Sequence, residues 1–117
     1  MDLQIINQVL EEFYKLCEIP HQPKNEKQLS DMLKKYLDEF SENIVQDDLG
    51  NIWADIPASN GFENMPRIAL QAHIDMVYAV GQNPDKTGKI LTKIENGYLT
   101  TGGTGSTLTL KNVTIDF

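Results

Sequence analysis

Apolar side chains recur along the first part of the chain at three- and four-residue steps: Leu3, Ile6, Val9, Leu10, Phe13, Leu16 and Cys17. That is the period of a helix with one buried stripe. Asp2 can cap its start, and Pro20 stops it. Ile19-Pro20-His21-Gln22-Pro23 then reads as a rigid elbow, because two prolines fix the backbone and forbid helix. A second stripe, Leu29, Met32, Leu33, Tyr36, Leu37 and Phe40, predicts a second helix. Asn25 is the expected N-cap, with Gln28 three residues on to complete a capping box. Lys24, Lys27, Lys34 and Lys35 lie off the stripe but are interleaved with Glu26, Asp31, Asp38 and Glu39. A solvated face accounts for them better than a basic patch.

Beyond the helices the period shortens. Residues 43–47 and 52–56 flank Gly50 and predict a β-hairpin. Residues 57–61 are loop, and Met65-Pro66 leads into Arg67–Ala72. There Ile68-Ala69-Leu70 is a continuous apolar run, the pattern of a central strand covered on both faces. Residues 81–88 read as loop. Residues 90–94 and 98–101 flank Glu95-Asn96-Gly97, and Asn-Gly is a strong hairpin signal. Gly102–Ser106 is linker-like, and residues 107–117 alternate as a terminal strand. The expected fold is α/β, with two N-terminal helices packed on a mixed β-sheet in a single domain over residues 1–117.

Bulk properties narrow the partners. The chain has 117 residues, a net charge of -7 and a sequence pI near 4.6. Nucleic acid and anionic membrane surfaces call for a basic face and are therefore not expected as partners. The single cysteine, Cys17, cannot form an internal disulfide and is expected to be a buried, inert thiol. The start of the chain lacks the basic and apolar regions of a signal peptide, and no stretch approaches the ~20 apolar residues of a bilayer span. The expected location is the cytoplasm.

Candidate chemistry concentrates at the end of the predicted central strand, at His73-Ile74-Asp75. Residues two apart in an extended chain point to the same side, so both can face one site at the strand's C-terminal edge. A neutral imidazole is a good zinc ligand, and a carboxylate on its other nitrogen fixes the tautomer. The plainer alternative, a histidine merely hydrogen-bonded at a strand end, stays open on spacing alone. His21, the other histidine, lies in the proline elbow, where a turn or surface role fits better than ligation. No HExxH, paired-cysteine or phosphate-loop pattern is present, and Gly102–Ser106 lacks a following Lys-Ser/Thr.

Several segments in a fixed order carry a further signal. They are Glu18-Ile-Pro20-His21-Gln-Pro23-Lys-Asn25-Glu26, Gln46-Asp-Asp-Leu-Gly50-Asn51-Ile52 and Leu70-Gln-Ala-His73-Ile-Asp75-Met-Val77. Together they resemble the zinc-dependent dipeptidases of the aminoacyl-histidine dipeptidase (Xaa-His, carnosinase-like) type, relatives of the aminoacylases and peptidase T. The resemblance runs over about residues 9–108. It implies a catalytic α/β domain with an inserted lid, two bridged divalent ions (usually zinc), and small peptides as substrates. It also implies a metal-bound water, activated by a glutamate base, as the attacking group. In that pattern His73 matches a metal ligand and Asp75 the catalytic-site aspartate that orients it.

The pattern then breaks. Thr107 and Leu108 fit the family's next motif, but Lys111 falls where its metal-bridging aspartate belongs. An ammonium there repels a cation. Asp116 matches nothing in the motif. The general base and the remaining ligands would lie beyond Phe117. The expectation is thus an N-terminal piece of such an enzyme, inactive alone, with an apolar face left exposed and self-association into a homo-oligomer as a consequence.

Overall fold

The structure is a computed structural model and describes residues 2–76, 79–80, 88–101 and 106–107. Helix α1 spans Leu3–Cys17 and α2 spans Lys27–Leu37. Six short strands follow: β1 Ile44–Gln46, β2 Ile52–Ala54, β3 Ala79–Val80, β4 Thr92–Glu95, β5 Tyr98–Thr101 and β6 Ser106–Thr107. They pair antiparallel as β1–β2, β3–β6 and β4–β5, three two-stranded sheets among the described residues. The α/β class holds, and the β structure is divided into hairpin-sized pieces.

Helix α1 begins as its sequence predicts, with the Asp2 carboxylate accepting the Gln4 N–H at 2.9 Å. Its stripe buries Ile6 and Leu10 against Leu99 of β5, with Phe13 packed alongside. One turn on, Cys17 is buried with Ile90, and Phe13 and Met76 close that cluster. The β4–β5 hairpin that carries Leu99 turns at Asn96 and Gly97, both at positive φ (53° and 76°). Two left-handed residues match the twist of a tight hairpin, and Asn-Gly adopts them at low cost.

Helix α2 packs on the other hairpin. Ser30, fully buried at 0% exposure, donates its hydroxyl to the Gly50 carbonyl at 2.7 Å and accepts from Gln46 Nε2 at 2.7 Å. The β1–β2 turn is held by Asp47, which accepts from the Leu49 and Asn51 N–H groups and from Asn51 Nδ2. These bonds favour the ionised carboxylate, the Asn51 side chain most, and keep the Asp47 carboxyl below its ordinary value of 3.8. Gly50 sits at φ +88°, and a Cβ there would come within 3.3 Å of Ser30 Oγ.

Two local expectations change. Asn25 does not cap α2: the helix opens at Lys27 after Glu26, whose carboxylate instead accepts the Lys24 N–H at 2.8 Å. Lys24 has φ 70°, so the chain turns sharply just before the helix and starts it one residue late. Residues 67–72 form no strand and are exposed, Ile68 at 85% and Leu70 at 94%. A central strand requires a backbone ladder on each side, and no described segment lies alongside this one to supply it. The loop at 81–87, the linker at 102–105, Val77, and residues 108–117 with Lys111 and Asp116 lie outside the described residues. Only Thr107 of the predicted terminal strand is described, paired in β6 with Ala79.

Candidate functional site

His73 and Asp75 come together even without a strand. His73 Nδ1 lies 2.7 Å from the Asp75 carbonyl oxygen and 3.1 Å from Asp75 Oδ1. Both partners are oxygen acceptors, so the ring proton belongs on Nδ1, and the lone pair of the neutral ring is on Nε2. The His73 side chain is 74% exposed, so that nitrogen can meet a solute. A tautomer fixed by a carboxylate and a backbone carbonyl is the arrangement that orients metal-bound histidines.

The segment is anchored just after the pair. The Met76 N–H donates to the His21 carbonyl at 2.9 Å, and the Met76 side chain packs on the Cys17–Ile90 cluster. The Ile90 N–H donates to the Cys17 carbonyl at 2.9 Å, and Lys89 pairs with Glu18 at 2.6 Å. The end of α1 and the proline elbow therefore fix where residue 76 sits, and His73 and Asp75 project from that fixed point. His21 departs from a surface role: its ring is buried, with Nδ1 donating to the Ile19 carbonyl at 2.5 Å. The ring thereby satisfies the carbonyl of Ile19, two residues past the end of α1.

Cys17 is the other reactive side chain near the anchor. Burial, and then the neighbouring Glu18 charge, push its thiol up to about 11. It stays protonated and is a packing residue, as its place in the stripe suggests.

Catalytic zinc is held by three protein ligands, and structural zinc by four. Among the described residues no group of three His, Cys, Asp or Glu side chains could hold a metal ion. The pair supplies one ligand and its orienting carboxylate, so the described residues do not by themselves fit a zinc ion.

No protein-family model matches the chain. The cytosol non-specific dipeptidase of Escherichia coli (strain K12) is 40% identical over 65 residues, which cover 56% of this chain and 13% of that protein. The crystal structure of aminoacylhistidine dipeptidase from Vibrio alginolyticus superposes with a TM-score of 0.69 at 33% identity, covering 78% of this chain. Over these stretches the chain is similar to two proteins described as dipeptidases. The chain spans 19% of the Vibrio dipeptidase chain and the match 13% of the Escherichia coli protein. Among the described residues no helix is long and apolar enough to cross a membrane.

Proposed function

We propose that this chain represents part of a metallo-dipeptidase catalytic domain, in which His73 is a metal ligand through Nε2 and Asp75 the residue that orients it. Support comes from the contact of His73 Nδ1 with Asp75 in a segment anchored to the end of α1. Further support comes from similarity to two proteins both described as dipeptidases. The substrate class is small peptides, Xaa-His among them, and the ions of the complete enzyme are divalent, zinc foremost. The relative's description as cytosolic supports the same location here.

The chain alone is inactive on this proposal, because the described residues supply one ligand, which leaves a divalent ion mostly hydrated. The test is hydrolysis of Xaa-His dipeptides by the purified chain with added zinc. No turnover above the protein-free rate is expected, and turnover with two tightly bound ions would overturn the inactivity of the chain alone.

A further inference from the structure

The sequence contains two asparagine–glycine pairs, Asn60-Gly61 and Asn96-Gly97. In such a pair the glycine backbone nitrogen, with no side chain beside it, can reach the side-chain carbonyl carbon of the asparagine. Closing that five-membered ring requires the backbone between the two residues to rotate. The pairs are alike in sequence, and both asparagines are exposed. Their backbones differ. Asn96 and Gly97 are the central residues of the β4–β5 turn, both left-handed, with Glu95 and Tyr98 paired on either side and Leu99 buried behind them. Rotation there opens the end of the ladder and pulls on the strand that carries Leu99. Asn60 and Gly61 lie in a turn closed by a single bond, from the Phe62 N–H to the Ser59 carbonyl at 2.9 Å. Gly61 has φ +86° at the third position, as in a type II turn, and only its chain neighbours lie within 4 Å of where a side chain would be. Residues 55–66 are exposed and belong to no helix or strand, so rotation here disturbs one solvent-exposed hydrogen bond.

A second feature sits at the attacking nitrogen. The Gly61 N–H donates to Glu63 Oε1 at 3.1 Å. The Glu63 N–H, and then that of Gly61, hold this carboxyl below its ordinary value of 4.5, so it is ionised at neutral pH. A carboxylate therefore already holds the proton that the nitrogen must lose.

We propose that Asn60 is a self-modification site, converted to aspartate and isoaspartate with Glu63 as proton acceptor, and that the hairpin protects Asn96. The Gly61 nitrogen attacks Asn60 Cγ and passes its proton to Glu63 Oε1. The bond from Cγ to the side-chain nitrogen then breaks, and that nitrogen leaves as ammonia with the proton. Water opens the cyclic imide at one carbonyl to give aspartate and at the other to give isoaspartate. Either product adds a negative charge to a chain already at -7. Isoaspartate also lengthens the main chain by a methylene, so the Ser59–Phe62 bond no longer closes the same turn. The loop remodelled in this way connects β2 to the segment that carries His73.

The test is incubation of residues 1–117 at mildly alkaline pH, in buffer and in urea, with both asparagines followed by peptide mapping in a mass spectrometer. In buffer, Asn60 should convert on the order of tenfold faster than Asn96 and yield both products. In urea the two should react within about threefold of each other, because the hairpin is gone. Glu63→Gln should slow Asn60 in buffer roughly threefold, well short of a base positioned in an enzyme site, and leave the rate in urea unchanged. Glu63 is exposed, so the substitution leaves the fold intact, which circular dichroism checks. An unconverted Asn60, or equal rates for the two asparagines in buffer, overturns the proposal. So does a difference that persists undiminished in urea, which would place its cause in neighbouring sequence rather than in the fold. An unchanged rate in Glu63→Gln overturns the proton-acceptor role.

Discussion

Removing one oxygen, with Ser30→Ala, should loosen the α2–hairpin unit more than its size suggests. Ser30 Oγ makes two hydrogen bonds, to the Gly50 carbonyl and from Gln46 Nε2, both 2.7 Å, in a position with 0% exposure. Each is worth about 1 kcal/mol net, and the half-buried Gly50 carbonyl recovers only part of its loss from water. Gln46 Nε2 keeps one partner, Asp31 Oδ1 at 3.0 Å, which limits the damage on that side. Alanine's higher helix propensity offsets roughly 0.5 kcal/mol. The expected net loss is about 1.5 kcal/mol, a fall in melting temperature of roughly 6–10 °C. Urea unfolding followed by Trp53 fluorescence reads it directly, because the chain's one tryptophan lies on β2 of the same hairpin. A double-mutant cycle with Gln46→Ala should give a coupling of about 0.5–1 kcal/mol. A midpoint unchanged in Ser30→Ala, or no coupling, would refute the claim that this hydroxyl ties the hairpin to the helix.

Leu99→Ala removes the β5 side chain buried against Ile6 and Leu10, and should cost about 2–4 kcal/mol, measured by thermal unfolding in circular dichroism. Cys17 should react with a thiol reagent at pH 8 far more slowly in the folded chain than in urea, since burial holds its pKa up at about 11. The folded value exceeds the ordinary value of 9.0, so this group's contribution to stability is complete below pH 9 and is lost as pH rises toward 11. Asp47 has the opposite sign: its folded value is depressed below 3.8, so its contribution is present above that pH and disappears as pH falls through the folded value. An NMR titration should show the β1–β2 turn amides moving with the Asp47 carboxyl in that acid range, and Asp47→Asn should remove the coupling.

The parts of the fold legible in the sequence are those decided locally. Helix α1 follows from its stripe and the Asp2 cap, and the β4–β5 hairpin from Asn96-Gly97, whose backbone freedom dictates the turn. The parts that escaped depend on distant partners. Residues 67–72 carry strand chemistry, but a strand exists only where another backbone completes its ladder. Asn25 offers a good cap, yet the positive φ at Lys24 moves the helix start to Lys27. Nothing local in the sequence marks Ser30, because its partner Gly50 is 20 residues away along the chain. The spacing of His73 and Asp75 draws attention to the pair, but the strand assumed to align them is not formed, and they meet through a local contact instead. The anchor that holds the pair, the His21 carbonyl on the Met76 N–H, was not legible, since it joins residues far apart in sequence.

The central claim is that Asp75 holds His73 in the tautomer that offers Nε2 to a metal ion. Long-range proton–nitrogen NMR of the two imidazole rings, with and without zinc, tests it most directly. For His73 the proton should be on Nδ1, and added zinc should shift the Nε2 resonance at millimolar concentration. Asp75→Ala should mix the tautomers and weaken that response. A ring protonated on Nε2, or a His73 signal that zinc leaves unmoved, would contradict the account.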